Sequence, residues 1–264
     1  MNRNHFHLAA STVVLLAAML ACELPGQTMQ PAPVINIETA VAGTAEAAAQ
    51  QTAAAQPVPT HRTGTILNQL EDGSTLYTDY DAGFEILFPA GWLAVRANAE
   101  EFQTVMEKEG AVNFLLHAQM TDDLATLNGE TKRVFAYALR PDIETDTFFG
   151  FAKAAWYQDD LLSIDNATMS ELMRSLEASN DLPGFHADTA QLHEDGPVKM
   201  IEIGGPFAQT TDKGKSIFLY STFIYFKPST DSTARLLFTV FDKFRGLIAP
   251  DVKSIFESIR LIES

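Results

Sequence analysis

Cysteine is nearly absent from this chain: 264 residues hold one, Cys22. A single thiol cannot close an intramolecular disulfide, and it excludes a cysteine-rich metal site. A long hydrophobic run is missing as well. The apolar stretch Leu8–Ala21 has fourteen residues, short of the ~20 that a membrane-spanning helix needs. Basic residues are scarce, with 18 Lys and Arg against 34 Asp and Glu and a net charge of −16. That balance disfavours nucleic acids and anionic lipid surfaces as partners. The chain lacks a Gly-x-Ser-x-Gly elbow and a His-Glu-x-x-His helix, the marks of common hydrolases and zinc proteases. Wholesale disorder is excluded too, because hydrophobic residues make up 46% of the chain, an ordinary globular share.

What is there begins with an export signal. Met1–His7 is polar and carries Arg3, and Leu8–Ala21 has the length of a signal-peptide apolar core. Met19-Leu20-Ala21-Cys22 then resembles the lipobox of bacterial lipoproteins. In that family the leader is cut before the cysteine, whose thiol carries a diacylglycerol. The usual pattern has Leu three residues before the cysteine and a small residue two before it; here those are Met19 and Leu20. The resemblance implies a leader at 1–21, a lipid on Cys22 and an exported protein held on the outer face of the membrane. Buried lipid contributes about 0.8 kcal/mol per methylene, so several chains hold firmly. The alternative is a plain secretory signal with Cys22 incidental.

Residues 22–60 read as a tether. Nine of the seventeen residues in Thr39–Ala55 are alanine, and Glu23–Thr60 has no aromatic side chain. Alanine favours helix, but nothing here makes a stripe wide enough to pack. The segment is expected to be a spacer, helical in part at most; a self-association helix is the alternative.

Residues 61–264 carry the aromatics and form one domain of about 200 residues, enough for a sizeable core. Alternation and turn residues predict strands over Thr75–Tyr80, Phe84–Phe88, Trp92–Ala97, Arg133–Arg140 and Phe151–Gln158. Helical spacing predicts Ala99–Glu109 and Ala111–Leu127, the latter placing Phe114, Leu115, Ala118, Leu124 and Leu127 at near-helical spacing. Asn166 is expected to cap a helix through Ala178, with Met169, Leu172, Met173 and Leu176 on one stripe. Ala187–His193 and Val198–Gly204 read as a hairpin closed at Asp195-Gly196. Ser216–Lys227 and Ala234–Phe241 are strands, and Pro250–Ile262 is an amphipathic helix. The class is α+β, an antiparallel β-sheet with helices packed on its faces.

Tyr80–Trp92 reads Tyr-Asp-Ala-Gly-Phe-Glu-Ile-Leu-Phe-Pro-Ala-Gly-Trp. It resembles the Gly-Phe-x-Ile-x-Tyr-Pro-x-Gly-Trp opening of PsbP-like proteins, through Gly83, Phe84, Pro89, Gly91 and Trp92. Ser254–Leu261 is similar to that family's closing helix. The resemblance covers the two ends of the domain, while the middle, Asn98–Gly184, is longer and less alike. It implies an α/β/α sandwich built on an antiparallel sheet. The family includes extrinsic photosystem II proteins, a nuclear import factor and envelope lipoproteins of unassigned function. These motifs are structural, so they imply a fold rather than an activity.

Sites of chemistry are few. Gly214-Lys215-Ser216 looks like the end of a phosphate loop, but the glycine required at 209 is Gln209; a polar turn is expected. Asp142, Glu144 and Asp146 offer alternate oxygens, yet an EF-hand would want Gly at 147 and Glu at 153, where Thr147 and Lys153 stand. They are the weak candidates for a cation, and a solvated acidic loop is the default. Asp79 and Asp81 read as turn acids. His186 and His193 stand seven apart on a strand, facing opposite sides, which is poor zinc spacing. Trp92 and Trp156 are expected in the core.

Charge is uneven: His61–Asp195 holds 8 basic and 24 acidic residues, and Gly196–Ser264 holds 9 and 7. The expectation is a membrane-anchored envelope protein with a non-catalytic module that binds an envelope protein or a small ligand. No cofactor and no nucleic acid are expected. The alternatives are an extracytoplasmic hydrolase with an unrecognised site and a structural spacer.

Overall fold

Asp72-Gly73 turns the chain back on itself, with Gly73 at φ +83° and Leu70 and Ser74 hydrogen-bonded across the turn. The turn joins β1 (Thr65–Gln69) to β2 (Thr75–Asp79). The structure is a computed structural model that describes residues 62–109, 113–127, 131–139, 148–210 and 214–262. Cys22, the tether and Asp142, Glu144 and Asp146 lie outside the described residues.

The fold class is α+β, and every strand pair described is antiparallel. After β3 (Phe84–Phe88) and β4 (Trp92–Arg96) come α1 (Ala99–Glu109) and α2 (Phe114–Ala125). Then follow β5 (Lys132–Ala138), β6 (Gly150–Gln158), α3 (Asn166–Glu177) and β7 (Thr189–His193). The chain closes with β8 (Met200–Thr210), β9 (Ser216–Ser229), β10 (Ser232–Phe241), a 3₁₀ turn, α4 (Arg245–Ser258) and β11 (Arg260–Leu261). These strands form two sheets rather than the one expected. A small sheet is ordered β1-β2-β3-β11, and a large one β4-β5-β6-β10-β9-β8-β7.

Alternation in the large sheet sends neighbours to opposite cores. Val134, Ala136, Ile224 and Phe226 face the small sheet and α4, where Phe84, Ile86, Phe88, Ile248, Ile255 and Ile259 meet them. Phe223 and Tyr225 face the other way, onto Met169, Leu172, Met173 and Leu176 of α3. Phe135 and Tyr137 face Phe102, Leu116 and Met120 of α1 and α2. Each such aliphatic or aromatic side chain contributes about 1.5–3 kcal/mol by burial. The sandwich thus has α1–α3 over one face of the large sheet and a mixed layer of α4 plus four strands over the other.

The structural residues of the Tyr80–Trp92 segment behave as turn and core. Gly83 and Gly91 take φ +77° and +86°, a left-handed backbone open to glycine at no steric cost. Phe84 and Trp92 are buried, and Pro89 accepts the Trp92 N–H at 3.1 Å.

Several expectations are corrected. The buried stripe of α2 is Leu116, Met120 and Asp123, whereas Phe114 and Leu115 are exposed. Asp123 belongs on the inner face because Tyr137 donates to it at 2.9 Å and Lys153 pairs with it. Asp165, not Asn166, caps α3 by accepting from the Thr168 N–H at 2.8 Å. The β7–β8 hairpin stands, but residues 194–199 connect it, and Gly196 does not use the left-handed turn. α4 begins at Arg245, with Pro250 inside it; proline there costs one i→i−4 bond.

Asp79 is not a turn acid on the surface. It ends β2 fully buried, and Arg133 clamps it through Nε at 2.6 Å and an Nη at 2.7 Å. Tyr77 donates its hydroxyl to Asp79 at 2.8 Å, and the Ala82 N–H donates at 3.0 Å. Asp81 remains partly exposed and receives Arg133 at 3.1 Å. Burial pushes the Arg133 guanidinium down, but its hydrogen bonds to Asp79 and the Asp79 charge more than offset this and raise it.

Burial also pushes the phenols of Tyr77, Tyr137 and Tyr225 up, with Asp79 and Asp123 adding to the first two. A raised native pKa favours the neutral phenol. The stability it confers is complete below the ordinary phenol value of about 10 and is lost as pH rises above it. The urea midpoint is therefore expected to fall steeply between about pH 9.5 and 11, in step with phenolate absorbance. A midpoint that stays level over that interval contradicts the buried-phenol account.

Candidate functional site

The C-terminal helix lies across one end of the large sheet and leaves a groove of about 410 Å³. That volume falls within the ~300–1,000 Å³ of small-molecule sites. Strand periodicity builds its floor: Tyr220, Thr222 and Ile224 alternate on β9, and Phe238 and Val240 on β10. Helix periodicity builds its wall, with Arg245, Ala249, Val252, Lys253, Phe256 and Glu257 on one side of α4. β7 and β8 add Thr189, Gln191, His193 and Glu202.

One end of the groove is built around Tyr220. Its hydroxyl donates to Asp188 Oδ1 at 2.6 Å. Burial, and then that hydrogen bond, push the phenol up, so it stays a neutral donor near pH 7. The guanidinium of Arg245 lies over the Tyr220 ring at 3.4 Å from its centroid. Asp188 Oδ2 reaches Arg245 Nη1 at 3.5 Å. Gly204 on the neighbouring strand makes room for the phenol: a Cβ there would come within 2.7 Å of the Tyr220 hydroxyl. Gly204→Ala is expected to displace Tyr220 and lower stability by about 1–3 kcal/mol. The check is urea denaturation; an unchanged midpoint would show that Tyr220 is not held there.

The other end holds His193, whose Nε2 meets Glu202 Oε2 at 2.8 Å. The His193 ring packs against Phe256 at 4.7 Å between centroids. Lys253 and Glu257 pair loosely at 3.8 Å on the rim. Between the two ends the lining is mostly apolar, through Ile224, Phe238, Val240 and Val252, with Thr222 and Gln191 on the floor.

His186 precedes β7 and does not share a strand with His193; its Nδ1 meets Glu177 Oε1 at 2.9 Å. Among the described residues no group of three His, Cys, Asp or Glu side chains could hold a metal ion. Gly214 and Lys215 precede a strand, β9, and not the helix that a phosphate loop requires. Trp92 is core, edge-on to Phe238 at 6.4 Å. Trp156 packs against the same core and lies under the Arg133 guanidinium at 5.3 Å.

The sequence reading singles out His193 alone among the groove residues. Tyr220 reads as one more aromatic of a buried strand. Arg245 lies before the expected helix start at Pro250. The Gly204-Gly205-Pro206 step inside a strand is the one local signal that a side chain needs space there.

No family model matches the chain, and no curated protein matches it. Solved structures do. The chain is similar to CyanoP, the cyanobacterial PsbP of Synechocystis sp. PCC 6803, with 11% identity, TM-score 0.43, and coverage of 75% of this chain and 98% of that one. It is similar to LpqN, involved in cell envelope biogenesis of Mycobacterium tuberculosis, with 12% identity, TM-score 0.39 and coverage of 76% and 91%. It is also similar to the Ran-binding protein Mog1p of Saccharomyces cerevisiae, with 10% identity, TM-score 0.41 and coverage of 76% and 97%. The α+β class stands on strand order and packing.

Proposed function

We propose that this chain is a lipid-anchored extracytoplasmic binding module whose ligand is a small amphiphile seated between α4 and β7–β10. The observation that carries the reading is the composition of the groove. A mostly apolar middle, with Thr222 and Gln191 on its floor, lies between two ends where charged side chains have protein partners. A preformed apolar cleft with a few placed polar groups is the usual make-up of a ligand site. The anchor is supported by the apolar run Leu8–Ala21 and by Met19-Leu20-Ala21-Cys22. In this reading residues 1–21 are the leader, 22–60 the spacer and 61–264 the binding domain.

Two experiments test it. Native mass spectrometry of the full chain extracted from its own membranes is expected to show a bound small molecule. Ala249→Trp, which fills the groove from α4, is expected to abolish the adduct. A bare mass in the wild-type protein counts against the reading. Separately, Cys22→Ser is expected to release the protein from the membrane fraction, and its retention there would rule out the lipid anchor.

A hydrolase is the second reading, favoured by one contact. An imidazole held by a carboxylate, as in His193–Glu202, is the base-and-orienter half of a nucleophilic site. The hydroxyls lining the same groove are those of Thr189, Thr222 and Tyr220. Hydrolysis of short aryl esters that vanishes in His193→Ala would support it over the binding reading.

A further inference from the structure

We infer that the groove selects a linear molecule carrying a carboxylate at one end, an amine at the other and an apolar stretch between them. This rests on the groove being the binding site and goes further by naming the ligand class. The carboxylate end is Arg245. Its guanidinium plane is fixed by the Tyr220 ring. Its described polar contact is to Asp188 at 3.5 Å, well beyond the ~2.7–2.9 Å of a charge-assisted bond. The Asp188 oxygen nearer Tyr220 is already taken by that hydroxyl at 2.6 Å. The fork of Arg245 is therefore oriented, with donors left for a planar anion.

The amine end is acidic. Glu202 and Glu257 face the groove there beside Phe256. Asp195 and Glu194, the latter paired with Lys199 at 2.7 Å, rim an adjoining hollow that shares His193, Phe256 and Glu257. His193 occupies one oxygen of Glu202. Arg260 Nη1 donates to the Glu257 backbone carbonyl at 2.6 Å, and Lys253 sits 3.8 Å from the Glu257 carboxylate with both side chains mostly exposed. Such a surface pair contributes little, so a ligand ammonium displaces it at small cost. The acids at this end outnumber the cations, which makes the groove a poor host for a simple anion and a good one for a dipole.

The separation is set by the fold. Arg245 and Glu257 stand twelve residues apart on α4, roughly 18 Å at 1.5 Å per residue. Tyr220 and Ile224, which is opposite Glu202, stand four residues apart on β9, roughly 14 Å. An ω-amino acid of about eleven carbons, or an apolar peptide of about five residues, spans that interval.

Calorimetric titration of the full chain with ω-aminoundecanoate, undecanoate and undecylamine tests this. The doubly charged probe is expected to bind about tenfold more tightly than either singly charged one. Arg245→Gln should bring it level with undecylamine, and Glu202→Gln/Glu257→Gln level with undecanoate. Equal binding of all three probes overturns the inference and leaves the groove as a site for apolar chains. Failure of all three to bind overturns the groove reading as well. The ranking on wild-type protein decides the matter even where a variant folds poorly.

Discussion

Replacing Asp79 by alanine is expected to lower the unfolding free energy by about 3–5 kcal/mol. Asp79 is fully buried, and the Arg133 side chain is 10% exposed. The pair joins β2 of the small sheet to β5 of the large one, so it sits where the two layers meet. Asp79 also accepts from the Tyr77 hydroxyl and the Ala82 N–H. Removing the carboxylate leaves a guanidinium without its buried counter-ion, together with a stranded phenol and amide, and the cost of desolvating those groups dominates the loss. Truncating both ions is therefore expected to cost less than truncating Asp79 alone. Arg133→Met in the Asp79→Leu background should recover part of the loss. Urea denaturation of the two singles and the double measures this. Additive losses would mean that the two residues act independently and that the clamp does not join the layers.

The second large effect falls on Trp92. Trp92→Ala is expected to cost about 3–5 kcal/mol. The ring is 4% exposed, stacked with Phe88 at 6.5 Å and edge-on to Phe238 at 6.4 Å. Its Nε1 donates to Asp251 of α4 at 3.0 Å, so the residue ties the start of the large sheet to the closing helix. Trp92→Phe keeps most of the area and loses that hydrogen bond; its cost should be nearer 1–2 kcal/mol. Equal losses in the two variants would place the contribution of Trp92 in the hydrogen bond and not in the core. Because α4 also forms the wall of the groove, Trp92→Ala is expected to weaken ligand binding without touching a lining residue.

Elements with a strong side-chain pattern were legible in the sequence. β3 alternates Phe84, Ile86 and Phe88 inward, and α1 spans the predicted Ala99–Glu109. β1 and β11 were not legible, because their side chains are largely exposed and only hydrogen bonding to β2 and β3 defines them as strands. The phase of α2 is hidden from the sequence for a physical reason. A buried Asp123 looks like a solvent-facing acid until Lys153 and Tyr137, from two strands, come into contact with it. Asp79 misleads in the same way, since Arg133 is 54 residues distant. The groove draws its lining from four strands and a helix, so no local spacing announces it. Arg245 and Tyr220 meet only once α4 folds back over β9.

The most direct test of the groove is side-chain methyl NMR of the full chain during titration with ω-aminoundecanoate. The account predicts saturable shifts of the Ile224, Val240 and Val252 methyls, with those of Val95 and Leu116, buried in the core beneath α1 and α2, unmoved. Unchanged spectra at saturating probe, or shifts centred away from α4 and β9, would contradict it.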